Sequence, residues 1–308
     1  MSSLGYLQKL TADLVDGVDR LPAAFRERHI NWLTANQNPD GGFSGREGGS
    51  DLYYTGFGLR SLAILQGLTP TICEKAGGFL KSKLNQPASV IDLFSLLVGS
   101  FLVRLGGYDV FAEAPADWPE RVAQSLEQFR TADGGYAKTP DASYGSTYHS
   151  FLVALAIELL EKPIPNIEAL VEFTRQRRRD DGGYVEIPAM RRCGTNPTAA
   201  GVGLLQIANA LDDSSRNLVI DFLFRLVGEF EGGFRANDRI PTADLLSTFT
   251  ASWTLAQLGA KDRIDVANVV AYAQSLESST GGFKGGLWDT ALDVEYTFYG
   301  IGVMGLFA

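Results

Sequence analysis

The chain offers few residues for nucleophilic or soft-metal chemistry. Its histidines are His29 and His149 and its cysteines Cys73 and Cys193, which exclude a disulfide framework and leave very little material for Cys/His zinc sites. His149 and Cys193 could open nucleophilic chemistry, but they lie in different segments with no third partner in view, so structural roles are expected of both. Carboxylates are more regular: Asp51, Asp244 and Asp293 each stand four residues before a Thr. That spacing admits acid or metal work at the mouth of a cavity, and equally acids at helix N-termini, where the macrodipole favours negative charge. The pairs Asp180-Asp181 and Asp212-Asp213 lack the spacing of an Asp-rich DDxxD metal motif. The stretches DLLS and DVEY, which begin at Asp244 and Asp293, are not the Asp-x-Asp-Asp run that protonates an alkene. Arg191, Arg192, Arg235, Arg239 and Lys284 fall in connecting segments; an arginine fork matches phosphate oxygens, and the same residues also read as solvated surface charge. Tyr53, Tyr54, Phe57, Tyr148, Phe249, Trp253 and Phe298 recur at helical spacing, as core or as the lining of a large apolar pocket.

These residues hang on a repeat. A Gly-Gly-aromatic triplet recurs at Gly41-Gly42-Phe43, Gly134-Gly135-Tyr136, Gly182-Gly183-Tyr184, Gly232-Gly233-Phe234 and Gly281-Gly282-Phe283. The intervals are 93, 48, 50 and 49 residues, so one repeat has lost its triplet near Asn85-Gln86-Pro87. Three copies carry Asp before the glycines and a fourth carries Glu231. Ahead of the triplets run amphipathic segments, Arg121–Phe129, Leu170–Arg178, Leu218–Val227 and Val266–Leu276. Behind them a Thr, read as Thr55, Thr147, Thr198, Thr248 and Thr297, opens an almost wholly apolar run. A helix apolar all round is buried on every side. The pattern predicts about six hairpins, an outer amphipathic helix and an inner apolar one in each. The paired glycines permit a sharp positive-φ turn, and each aromatic plugs the space between neighbours. An open solenoid needs polar terminal caps, but the last apolar helix, from Thr297, is as apolar as the rest. Closure into an all-α (α/α)6 barrel follows as the expectation: one domain over residues 1–308, with a lead-in helix in 1–24 and repeats from about 25.

Composition agrees. The chain has 45% hydrophobic and 20% charged residues, enough to bury a core, and 34 glycines in 308 residues, above an ordinary share of roughly 7%. A net charge of −9 and a pI near 4.9 argue against nucleic acid as a partner. The apolar run from Leu93 to Val103 is about half the length that spans a bilayer, and no targeting segment is visible. The expectation is a cytoplasmic protein, not integral to a membrane.

The unit DGG-[FY], Thr, then a small-residue-rich apolar helix resembles the prenyltransferase and squalene-cyclase α/α toroid repeat. The stretches EFEGGFRANDRIPTADLLSTFTASWTLAQL and GGFKGGLWDTALDVEYTFYGIGVMGL are most similar to β subunits of protein farnesyl- and geranylgeranyltransferases, and the resemblance covers roughly Phe25 to Ala308. It implies a central aromatic-lined cavity for a prenyl chain, a basic patch for the diphosphate, a zinc ion holding an acceptor thiolate, and a helical-repeat α partner subunit. In this sequence the family's zinc ligands, an Asp-x-Cys and a His, map onto Asp244, Leu246 and Tyr296. Only one donor is kept, so zinc is not expected as a cofactor, although Mg²⁺ can accompany a diphosphate. The family's diphosphate-binding His and Tyr fall near Gly194 and on Ser247, and the Gly233-to-Asp244 spacing is one residue longer than in the family. The resemblance therefore implies an isoprenoid-diphosphate-binding alkyl transferase. Arg191, Arg192, Arg235 and Arg239 are its diphosphate candidates, Asp244, Asp293 and Tyr296 its catalytic candidates, and Tyr53, Tyr54, Phe57, Tyr148, Phe249, Trp253 and Phe298 its cavity. The alternatives are a non-catalytic lipid- or protein-binding toroid, a terpene-cyclase-like protein, or a carbohydrate-active α/α barrel.

Overall fold

The computed structural model describes residues 4–84, 86 and 89–308. After α1 (Tyr6–Val18), the described residues form six helix pairs: α2 (Ala23–Ala35) with α3 (Leu52–Ile64), α4 (Pro70–Lys83) with α5 (Val90–Leu105), α6 (Trp118–Leu126) with α7 (Thr147–Leu159), α8 (Ile167–Gln176) with α9 (Thr195–Ile207), α10 (Asp213–Phe224) with α11 (Leu245–Gln257), and α12 (Val266–Ser275) with α13 (Val294–Leu306). Two short antiparallel strands, β1 (Phe283–Lys284) and β2 (Leu292–Asp293), lie in the last connection. Of the segment expected to have lost its triplet, Asn85 and Pro87 lie outside the described residues. No described helix is long and apolar enough to cross a membrane.

The chain divides into two compact units, one of Met1–Leu7 with Pro119–Tyr272, the other of Gln8–Trp118 with Ala273–Ala308. In the first, α7, α9 and α11 pack side by side, with α8 behind α9 and α10 behind α11. In the second, α13, α3 and α5 form the corresponding layer, with α2 behind α3 and α4 behind α5. Within this unit the last helix thus packs directly on α3 of the first pair.

The triplet sets this geometry. The first glycine of each has φ between 83° and 99°. A Cβ there would strike the backbone of an outer helix: Lys75 O at 2.0 Å from Gly41, Leu218 O at 2.3 Å from Gly182, and Arg28 O of α2 at 2.7 Å from Gly281. The preceding Asp closes an Asx turn, with Asp40 Oδ1 accepting from Gly42 N at 3.1 Å and Asp181 Oδ1 from Gly183 N at 3.0 Å. Each aromatic is buried, from Phe43, Tyr136, Phe234 and Phe283 at 0% exposure to Tyr184 at 1%.

A buried hydroxyl locks the turn to its apolar helix. It accepts the aromatic's N–H: Phe43 to Thr55 at 2.9 Å, Tyr184 to Thr198 at 2.9 Å, Phe234 to Thr248 at 2.9 Å and Phe283 to Thr297 at 3.1 Å. In the remaining repeat the acceptor is Ser150, at 2.8 Å from Tyr136 N, not Thr147 as the sequence suggested. Thr147 opens α7 and bonds to the next repeat instead, its Oγ1 donating to Val185 O at 2.7 Å. Thr195 does the same toward Arg235 O at 2.6 Å. The five apolar helices that carry a repeat hydroxyl accordingly start three residues before it.

Candidate functional site

Asp51, Ser146, Gly194, Asp244 and Asp293 are the N-caps of α3, α7, α9, α11 and α13. The three aspartates accept the backbone N–H three residues on: Tyr54 at 2.7 Å, Ser247 at 2.7 Å and Tyr296 at 2.8 Å. The helix-terminus reading therefore accounts for their spacing. Asp244 also accepts the Ser247 hydroxyl at 2.8 Å, which occupies its second oxygen. Burial nonetheless holds the Asp244 carboxyl above its usual range, against those two hydrogen bonds.

In the second unit Asp293 belongs to a larger cluster. Arg46 reaches Asp289 through both terminal nitrogens, at 3.0 and 2.5 Å, and Asp293 through Nε at 2.8 Å. Its guanidinium lies 5.6 Å from the centre of the Tyr296 ring. Burial would raise the Asp289 carboxyl, but Arg46 and the amides of Ala291 and Gly285 outweigh it and hold it below the usual range. One turn along, Glu295 accepts the Tyr53 hydroxyl at 2.7 Å and is pushed up by burial and by Asp293. Beneath these groups runs a chain of rings: Tyr53 to Phe57 at 5.0 Å, Phe57 to Phe298 at 5.4 Å and Phe298 to Tyr299 at 5.5 Å between centroids. Arg60 stacks 4.0 Å over Phe298. Neither Arg46 nor Glu295 was singled out in the sequence, because their partners lie 242 to 247 positions away.

The first unit holds a different cluster at the start of α7. Ser146 Oγ donates to Glu186 and accepts the backbone N–H of His149 at 3.1 Å, and it lies 2.7 Å from His149 Nδ1. Glu186 also accepts Tyr148 N at 3.2 Å and is pushed up by burial. His149 is pushed down to about 4 by burial and by Lys138. Cys193 is buried, with its thiol pushed up to about 12 by burial and by Asp181, whose carboxylate accepts the thiol at 3.3 Å.

The arginine candidates sit on the connecting loops of this unit. Arg191, Arg192 and Arg239 are exposed. Arg192 pairs with Asp238, and Arg235 is half-buried, donating to Arg225 O at 3.0 Å while its Nε is buried without a partner. Among the cavity candidates, Tyr53, Tyr54 and Tyr148 keep accessible surface. Phe57, Phe249, Trp253 and Phe298 are only 1 to 6% exposed and pack as core. The Trp253 indole donates to the hydroxyl of Tyr6 at 3.0 Å, and the Tyr6 ring stands edge-on to Phe151 at 5.3 Å. Among the described residues no three His, Cys, Asp or Glu side chains are grouped so as to hold a metal ion. At the mapped zinc positions, Leu246 has no donor atom, Asp244 is engaged by Ser247, and Tyr296 supplies a phenol. That donor set does not fit zinc.

Paired helices, a glycine turn in five of the six pairs and charged groups at the starts of the apolar helices define an α/α hairpin repeat protein of toroid class. The chain belongs to the prenyltransferase alpha-alpha toroid domain family, whose profile matches residues 2–223 and 189–308. Among solved structures it is similar to the Candida albicans protein geranylgeranyltransferase-I complexed with GGPP, at 12% identity over 95% of this chain and 89% of that one, TM-score 0.68. It is also similar to the type II terpene cyclase MstE from Scytonema, at 12% identity over 96% and 98% of the two chains, TM-score 0.62. The GH76A alpha-1,6-mannanase from Salegentibacter sp. HEL1_6 matches at 12% identity over 97% and 98%, TM-score 0.60. Identities this low establish the shared fold alone. No curated protein matches the sequence significantly.

Proposed function

We propose that the chain binds an isoprenoid diphosphate and transfers its alkyl group to an acceptor without the zinc chemistry of its family. The observation that carries this reading lies in the first unit, where Arg191, Arg192, Arg235 and Arg239 stand on connecting loops and the Arg235 Nε is buried without a partner, a set of guanidinium donors that suits a diphosphate. The GGPP-bound transferase among the similar structures supports the same ligand class. Within the first unit, Arg191, Arg192, Arg235 and Arg239 are the groups assigned to the diphosphate and Asp244 the one that orients the acceptor; Asp293 and Tyr296 are the acceptor candidates of the second unit. Any Mg²⁺ would enter with the diphosphate, since Asp289 and Asp293 are already spent on Arg46.

Titration with farnesyl and geranylgeranyl diphosphate tests this. Saturable binding that weakens at least tenfold in Arg235→Ala/Arg239→Ala supports the reading; no binding at high micromolar concentration, or no effect of the double variant, contradicts it. Zinc analysis of the same preparation should find well under one metal per chain. A second reading, a non-catalytic subunit of a protein complex, is favoured by Tyr144, Met190 and Ile240. These lie 41 to 59% exposed on successive connecting loops of the first unit. Prenyl diphosphate binding with no turnover on any acceptor would favour it.

A further inference from the structure

We propose that Tyr6 is the floor of the tail site, so that this one side chain sets the longest prenyl group the protein accepts. The inference deepens the prenyl reading, rests on it for the ligand, and uses residues of the first unit alone.

It starts from the two faces of the layer formed by α7, α9 and α11. In α9, Gly201 lies against the ring of the turn residue Tyr184, and Gly203 against the ring of Phe151 from α7. Two residues are about 200° of helix, so Gly203 faces away from the side that holds the turns. Asn196, seven residues earlier, shares the face of Gly203, and there the Thr250 hydroxyl of α11 donates to Asn196 Oδ1 at 2.8 Å. Over the first two turns this second face is open. Tyr148, Phe151, Asn196, Ala199, Leu246 and Thr250 keep accessible surface, although the helices that carry them are almost wholly apolar. One turn further on, the face is shut: Gly203 is buried and Trp253 is 4% exposed.

Tyr6 does the shutting. Its ring stands edge-on to Phe151 at 5.3 Å and to Trp253 at 6.4 Å between centroids. Its hydroxyl accepts the Trp253 indole N–H at 3.0 Å, and its main-chain N–H donates to Glu158, near the end of α7, at 2.7 Å. The residue is pinned at both ends, to α11 and to α7, as a limiting wall requires. The arginine candidates lie at the opposite end of the face, where Thr195, the first residue of α9, donates to Arg235 O at 2.6 Å. A diphosphate held there sends its tail along the open turns toward Tyr6. From the N-cap Asp244 to Trp253 is nine residues, about 14 Å at 1.5 Å per residue. A prenyl unit lays four skeletal bonds along its chain, about 5 Å when extended. Three units therefore reach Tyr6, and a fourth meets its ring.

Two measurements decide it. The first compares the affinities of geranyl, farnesyl and geranylgeranyl diphosphate by calorimetry. The wild type should bind farnesyl about tenfold more tightly than geranylgeranyl diphosphate. Tyr6→Ala should erase or reverse that order, and Tyr6→Trp should move it toward geranyl. Tyr6→Phe keeps the ring and should keep the order, whereas a merely structural role for Tyr6 would lower stability without moving the ratio. A wild type that takes geranylgeranyl as readily as farnesyl diphosphate, or an order unchanged in Tyr6→Ala, overturns the proposal. The second measurement needs no folded Tyr6 variant. It follows the indole N–H resonance of Trp253 in the native chain, identified by its absence in Trp253→Phe. Farnesyl diphosphate should shift it and inorganic diphosphate should not; farnesyl diphosphate that binds without moving it overturns the proposal. A wild type that binds no prenyl diphosphate contradicts the prenyl reading itself, and the two failures are thereby told apart.

Discussion

The lock between each glycine turn and its apolar helix is a single hydroxyl, and Thr248 tests it. Thr248 Oγ1 accepts the N–H of Phe234, itself 0% exposed, at 2.9 Å and donates to Asp244 O at 2.7 Å. Thr248→Val keeps the shape and removes both bonds. The Asp244 carbonyl still accepts Thr248 N at 2.9 Å, so its loss is small. The Phe234 amide has no alternative and is left buried and unpaired, a cost of about 1–3 kcal/mol. We expect a net destabilisation of about 2 kcal/mol. Thr248→Ser keeps the hydroxyl that accepts the Phe234 amide, as Ser150 accepts that of Tyr136, and loses only a buried methyl, about 1 kcal/mol. The assay is urea unfolding of the two variants, with amide exchange at Phe234 as the local readout. Valine should cost more than serine, and the Phe234 amide should lose protection only with valine. Equal stabilities, or an unchanged Phe234 amide in Thr248→Val, would refute the view that the hydroxyl holds the turn.

Other outcomes follow from the same contacts. Gly182→Ala, at φ +88° with a Cβ 2.3 Å from Leu218 O, should cost about 3 kcal/mol. Gly48→Ala, at φ +86° with nothing within 4 Å, should cost only about 1 kcal/mol, and comparable urea midpoints would refute the role given to backbone approach. Burial would raise the Glu277 carboxyl, but hydrogen bonds from His29 and Arg28 outweigh it and lower it. A depressed carboxylate stabilises the fold above its unfolded pKa of about 4.3 and loses that contribution as pH falls through the folded value. Glu277→Gln should therefore flatten the loss of stability between pH 5 and pH 3, and an unchanged acid limb would refute the assignment. Cys193, pushed up to about 12, should take no iodoacetamide adduct at pH 8 by mass spectrometry until urea unfolds the chain.

The repeat was legible in the sequence because its physics leaves a compositional trace. A positive-φ position pressed against a neighbouring backbone accepts only glycine, so Gly41, Gly134, Gly182, Gly232 and Gly281 stand out before any fold is known. The hydroxyl was legible by spacing and not by residue type. Ser150 lies 15 residues past Gly135, as Thr198, Thr248 and Thr297 lie past their own second glycines, whereas Thr147, which shares only the residue type, has a different task. The two clusters were hidden for a plainer reason. Arg46 meets Asp289 and Asp293 only when the last helix pair packs against the first, and Glu186 reaches Ser146 only because adjacent repeats touch. Helical spacing placed Phe57 and Phe298 on the apolar helices correctly. Spacing carries no information on whether a ring faces a ligand or another ring, and here both pack as core.

The central claim, that this toroid takes up a prenyl diphosphate by head and tail together, is tested most directly by calorimetric titration with geranylgeranyl diphosphate and with inorganic diphosphate across several temperatures. Burial of the tail predicts one site per chain, a negative heat-capacity change, and binding of the prenyl compound at least 100-fold tighter than of the bare diphosphate. Equal affinities for the two, or no binding of either, would contradict it.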